Sequence, residues 1–157
     1  MRILGVDPGQ KKSGWCSISA GEDCLQEISF GHDWNAEVIE ILNKFQPEVL
    51  GYEWVQSYGR AVGEDVFRTA YMCGRVRQAH NSCFCEPTRP EVIKHFTGRS
   101  NLPKPEVRKV LKERFEGNTD VIKGITNHAW DALAVCVYVL EMEYGYSKDY
   151  WRAPCPF

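Results

Sequence analysis

The chain opens on a short apolar strand that is stopped by an acid. Arg2-Ile3-Leu4-Gly5-Val6-Asp7-Pro8-Gly9 has an apolar run too brief for a helix, and Pro8-Gly9 ends it in a turn. Residues 13–19 and 24–30 read as two further strands, parted by Gly21-Glu22-Asp23, so the first thirty residues predict an antiparallel meander. The period then changes. Asp33 is expected to cap a helix whose apolar face is Val38, Ile41, Leu42 and Phe45, and Pro47 ends it. Residues 48–53 predict a fourth strand, and the loop Ser57-Tyr58-Gly59-Arg60 follows.

The second half alternates in the same way. A helix over about 61–80 carries Val62, Phe67, Ala70, Tyr71 and Gly74 on one face, and residues 82–86 predict a fifth strand. Pro87 and Pro90 bracket the entry to a short helix with Val92, Ile93, His95 and Phe96. A basic helix has Pro105 in its first turn and Val107, Val110, Leu111 and Phe115 inward, and Gly117-Asn118 stops it. The last helix runs from about 127 to 143, and the tail with Trp151 carries no regular signal. Three consecutive strands followed by strand–helix alternation predict an α/β fold: a five-stranded mixed sheet, first a meander and then two parallel strands, flanked by helices. At 157 residues the chain is expected to be one domain spanning 1–157.

No stretch has the length and apolarity of a transmembrane span, and Ile3–Val6 is too short for a signal-peptide core, so a cytoplasmic protein is expected. Seven cysteines, an odd number lying mostly in apolar runs without Cys-x-x-Cys spacing, fit a reducing compartment rather than a disulfide or zinc framework.

Three acids stand out against this frame. Asp7 closes the first strand, Glu53 closes Val49-Leu50-Gly51-Tyr52-Glu53, and Asp131 lies near the start of the apolar helix His128-Ala129-Trp130-Asp131-Ala132-Leu133-Ala134. Ligands of open α/β sheets gather at the carboxyl ends of strands, where Asp7 and Glu53 meet if strands one and four are parallel neighbours. Acids gathered there repel one another unless a cation answers them, and a divalent metal does so directly. Charge is also unevenly distributed. The net charge is −2, yet residues 89–114 hold eight Lys/Arg against three Asp/Glu. That local surplus suits contacts with nucleic-acid phosphates, or equally the wet face of an amphipathic helix.

At this point the residues resemble a known family. Ile3-Leu4-Gly5-Val6-Asp7-Pro8-Gly9 with Ser13-Gly14-Trp15 is similar to the opening of RuvC-type Holliday junction resolvases, of the ribonuclease H-like superfamily. The likeness continues in order through Glu53, Gly74-Arg75-Val76, Pro90, Val92, Lys94, Gly98, Lys104 and Val107 to Asp131-Ala132-Leu133-Ala134. The short chain, divergent loops and cysteine content fit a bacteriophage version.

The resemblance implies a ribonuclease H-like fold and a metal-dependent endodeoxyribonuclease resolving four-way DNA junctions by paired nicks. It implies a catalytic and metal-binding set of Asp7, Glu53, His128 and Asp131, holding two Mg²⁺ ions, or Mn²⁺, which imidazole accepts more readily. His128 departs from the commoner family pattern, which has an acid there, and serves as ligand or as base toward the attacking water. Lys94 and Lys104 fall at basic positions that contact phosphates, with Arg99 and Arg108 as further DNA-binding candidates. The family's stacking aromatic after the second acid corresponds to Gln56, so Tyr58 or Trp54 is expected to take over stacking on a base. The second helix is expected to supply a homodimer interface, since two centres related by a twofold axis can nick opposing strands. A broader nuclease of forks and flaps and a non-cleaving junction-binding protein remain as alternatives. An actin-type phosphate-binding ATPase needs a second related lobe, and the chain has one such opening.

Overall fold

The computed structural model describes residues 1–57, 59, 61–81 and 83–154. Five strands form one mixed sheet in the order β3-β2-β1-β4-β5: β1 Arg2–Asp7, β2 Lys12–Ala20, β3 Leu25–Trp34, β4 Val49–Tyr52 and β5 Cys83–Cys85. β1 pairs antiparallel with β2 and parallel with β4; β2–β3 is antiparallel and β4–β5 parallel. The predicted meander and parallel pair are therefore present.

Helices cover both faces, and strand parity decides which. Leu4, Val6, Leu50 and Tyr52 point into a core shared with α1 (Asn35–Phe45) and α2 (Glu64–Gln78). Ile3 and Val49 point the other way, into the core built with α3 (Arg89–Thr97), α4 (Lys104–Arg114) and α5 (Asn127–Glu143). Successive side chains alternate faces, so Gly5 and Asp7 follow Ile3, and Gly51 and Glu53 follow Val49, onto the α5 side. The glycines confirm the parity. A Cβ on Gly5 would collide with the Ala132 carbonyl and Cys136, and one on Gly51 would press on Val135. Gly14 plays the same part on β2, where a Cβ would strike the backbone of His128. α5 thus lies against the sheet closely enough to bring its first turns to the strand-end acids.

Several expectations need correction. Asp33 does not cap α1. It is still in β3, opposite Ser13, and its carboxylate accepts the Trp15 indole N–H at 2.6 Å. The cap is Trp34, whose backbone N–H donates to Glu37 at 2.9 Å. The meander strands are longer than their apolar runs because the β2–β3 ladder continues to Lys12 opposite Trp34. On α2 the sheet-facing residues are Met72, Cys73 and Val76, whereas Phe67 and Tyr71 are 66% and 71% exposed. Val62 precedes the helix, which begins at Glu64. The tail is not irregular: a 3-10 helix, Lys148–Arg152, buries Tyr150 and Trp151, and the Trp151 indole donates to Glu141 at 2.8 Å. Among the described residues no helix is long and apolar enough to cross a membrane.

Candidate functional site

A ring of hydrogen bonds holds the turn after β1. Gly9 N–H donates to Ser13 Oγ at 3.2 Å, Ser13 Oγ–H to Asn35 Oδ1 at 2.8 Å, and Asn35 Nδ2 returns to the Gly9 carbonyl at 3.0 Å. This ring ties the β1–β2 turn to the start of α1 and sets Asp7 at the strand exit. Glu53 directly follows β4, and its backbone N–H donates to the Val6 carbonyl at 3.1 Å, so the ladder extends one residue to bring it level with Asp7. His128 and Asp131, three residues apart in the first turns of α5, share the helix face that meets the sheet.

The structure gathers Asp7, His128 and Asp131, each with a ligand atom within 4.8 Å of the others. Glu53 is outside that trio but lines a cavity of about 270 Å³ together with Asp7, Trp54, Gln56 and Arg89. The three acids are mostly covered, with Asp7 7% exposed and the Glu53 and Asp131 side chains 14% and 11% exposed. Each has a cationic neighbour of its own. His128 Nδ1 lies 2.9 Å from Asp7 Oδ2. Arg89 reaches Glu53 Oε1 with Nε at 2.8 Å and a terminal nitrogen at 2.6 Å. Lys104 Nζ contacts Asp131 Oδ2, with Arg108 at 3.9 Å from the other oxygen.

The electrostatics follow from this arrangement. Burial pushes the Glu53 carboxyl above its ordinary pKa, Arg89 opposes the rise, and the Asp7 charge adds to it. Burial likewise raises Asp131, against the pull of Lys104 and with a further push from Asp7. The hydrogen bond that His128 donates to the Asp7 carboxylate raises its pKa despite its partial burial, which favours the imidazolium. Burial is thus the main cost of ionising Glu53 and Asp131, and the Asp7 charge adds to it at both. Hard carboxylate oxygens and one imidazole at this spacing fit a divalent cation.

The other expected residues separate. Lys104 and Arg108 reach the acids, and Arg108 also donates to Asn127 Oδ1 at 2.9 Å. Lys94 and Arg99 are exposed, on α3 and just past its end, and line neither cavity that holds an acid. Trp54 is part-exposed on the wall of the Asp7–Glu53 cavity, pinned by a parallel bridge to Thr88. Tyr58 lies outside the described residues. Two neighbours went unread in the sequence. In the sequence Arg89 is one basic residue among the eight of 89–114, with no local feature to single it out. His32, on β3, stacks on His128 with ring centroids 4.5 Å apart and planes 24° from parallel. The β2–β3 register, which sets Gly14 opposite His32, is what takes it there.

The same architecture occurs in solved structures. One is that of Thermus thermophilus RuvC, at TM-score 0.69 and 18% identity over 92% of this chain and 97% of that one. T. thermophilus RuvC in complex with Holliday junction substrate matches at TM-score 0.61 and 18% identity, over 88% and 92% of the two chains. The fowlpox virus Holliday junction resolvase matches at TM-score 0.55 and 14% identity, over 90% and 98%. No protein-family model matches the chain, and no curated protein matches it in sequence. The chain has the ribonuclease H-like fold of RuvC-type resolvases, as its sequence resemblance led one to expect.

Proposed function

We propose that this chain is a metal-dependent, structure-selective endodeoxyribonuclease, a single nuclease domain over 1–157, that resolves four-way DNA junctions by paired nicks. The observation that carries this reading is the trio Asp7, His128 and Asp131 within 4.8 Å at the carboxyl end of the parallel β1–β4 pair. The shared fold supports it, since one structure of that fold is in complex with Holliday junction substrate.

Asp7, Asp131 and His128, with Glu53 across the cavity, would hold two Mg²⁺ or Mn²⁺ ions. Bound there, the metals supply the Lewis acidity for phosphodiester hydrolysis, activating water and stabilising the departing oxygen. The protein's own groups do the rest. Lys104 and Arg108 sit beside Asp131, so a phosphate entering the site meets two positive side chains within reach. Lys94 and Arg99 extend a positive surface along the exposed side of α3 for flanking phosphates. Trp54 at the cavity wall offers an aromatic face to an unstacked base at the branch point, and Tyr58 is the other candidate for that stacking. His128, held toward Asp7 through Nδ1, serves in its neutral form as a ligand or as the group that takes a proton from water.

The exposed Phe67 and Tyr71 on α2, with open space above Gly74, support a homodimer through this helix. Such a dimer gives two centres for symmetric nicks. The six described cysteines are free, which suits the cytoplasm of a bacterial or phage-infected cell.

The test uses labelled four-way junctions, forks and duplexes with Mg²⁺ or Mn²⁺, comparing the wild type with Asp7→Asn. Paired symmetric nicks in junctions, absent from the variant, are expected. Cutting of forks and flaps equally well would make it a general branch nuclease. Binding with no cleavage of any branched substrate would reduce it to a junction-binding protein.

A further inference from the structure

Of the three acids, Glu53 alone is kept out of the metal-competent trio, and the side chain beside it is Arg89. Two donors of one guanidinium converge on a single carboxylate oxygen, at 2.8 Å and 2.6 Å. Such charge-assisted pairs are short and directional. A divalent cation at that oxygen would have to displace the guanidinium or bear its repulsion at contact distance.

The placement is built into the backbone on both sides. Glu53 is followed by Trp54, whose N–H donates to the Pro87 carbonyl at 2.9 Å and which bridges Thr88. Arg89 is the next residue and the first of α3. The helix start is itself anchored, because Thr88 N–H and Oγ donate to Glu91 at 2.7 Å and 2.6 Å. Arg89 is therefore carried to Glu53 by a parallel backbone contact and a capped helix, unlike a surface pair formed by two swinging side chains. Its side chain is 40% exposed and lines the cavity that also holds Asp7. Arg89 therefore borders the space that a phosphate beside Asp7 would enter.

We infer that Arg89 is the resident counter-ion of Glu53, which a metal must displace and which a phosphate of bound DNA draws away, so that divalent cation and branched DNA bind cooperatively. This rests on the nuclease reading above and adds a regulatory contact to that site. In the absence of DNA, Arg89 keeps the Glu53 side of the centre weak for metal. DNA releases Glu53 by taking Arg89, and by linkage metal strengthens DNA binding by the same factor. The protein would thus complete its metal centre on its substrate rather than before it.

The experiment reads binding, not turnover. Free Mn²⁺ is followed by electron paramagnetic resonance during titration of DNA-free wild type, Arg89→Gln, Arg89→Lys, Glu53→Gln and the double variant Glu53→Gln/Arg89→Gln. Junction affinity is measured by fluorescence anisotropy in EDTA. Arg89→Gln is expected to bind Mn²⁺ roughly tenfold more tightly than wild type, and the junction more weakly. Arg89→Lys, which keeps the charge but loses the two-pronged contact, should fall between them and guards against a folding defect in the glutamine variant. Within the Glu53→Gln background the Arg89 effect on Mn²⁺ should vanish. Equal Mn²⁺ affinity in wild type and both folded Arg89 variants overturns the inference and leaves the nuclease reading standing. No Mn²⁺ binding by any variant, with no cleavage of branched DNA by the wild type, overturns both.

Discussion

Asp7→Asn should make the metal-free protein more stable while removing its response to metal. Asp7 and Asp131 place ligand atoms within 4.8 Å of each other, with Asp7 almost wholly covered. At an effective dielectric of about 20, two like charges at that separation repel by about 3 kcal/mol. Two effects subtract from what the substitution relieves. Lys104 already offsets part of the Asp131 charge, and the variant loses its charged hydrogen bond to His128, worth about 1.5–3 kcal/mol. What remains is a gain of at most about 1 kcal/mol, or up to about 2–4 °C in Tm for a chain of this size. The assay is thermal unfolding by circular dichroism in EDTA and again with saturating Mg²⁺ or Mn²⁺. Wild type should rise with metal, by about 2.7 kcal/mol at a hundredfold excess over Kd, and the variant should not. The pH dependence gives a second check on the same charges. Burial, with Asp7 adding to it, raises the pKa of Glu53 and of Asp131. The folded protein therefore holds their protons more strongly than the unfolded chain, and metal-free stability falls as pH climbs from the ordinary carboxylate range through the raised values. Asp7→Asn should shallow that fall. A variant less stable than wild type in EDTA, with an unchanged thermal response to metal, would refute the repulsion argument.

The remaining predictions concern neighbours of the centre and the periphery. His32→Ala should lower junction turnover by roughly tenfold at most, with junction affinity unchanged, because the stacked ring holds His128 in place. His32→Phe should restore most of that loss, and a phenylalanine variant as slow as alanine would show that His32 does more than stack. His95 lies 2.5 Å from Glu141, and burial together with the Arg114 charge pushes its pKa down from 6.5 to about 4. Between those values the unfolded chain takes up a proton that the folded protein refuses, so this group makes stability rise with pH across that window and His95→Gln should flatten the rise in urea titrations. Phe67→Glu with Tyr71→Glu should leave the fold intact and shift sedimentation toward monomer, whereas a wild type already monomeric at high concentration would remove the interface from α2.

What could be read from the chain, and what could not, divides by the range of the interaction. β1, β4 and α5 are legible because their apolar runs bury whole faces, and the period-two alternation already places Asp7 with Ile3 and Glu53 with Val49. The length of β3 was not legible, since residues beyond its apolar stretch are held by pairing with β2 and by the Trp15–Asp33 hydrogen bond rather than by burial. Asp33 has the right residue type for a cap, and a partner eighteen positions back claims it. Tyr150 and Trp151 carry no period at all, and their burial comes from contacts with residues such as Glu141 and Phe115. The site shows the same division more sharply. Its acids stand at strand ends and in a helix's opening turns, positions that local pattern marks. Its cations reach them from elsewhere: Lys104 from 27 residues away and Arg89 from 36. No local pattern distinguishes an arginine at a helix start that is solvated from one carried onto a buried carboxylate. The Trp54–Thr88 bridge makes that distinction, and it exists only once β4 and β5 have paired in register. Control of the centre by its own basic residues is therefore a property of the assembled sheet, which is why variants at Arg89 test the structure more severely than variants at the acids.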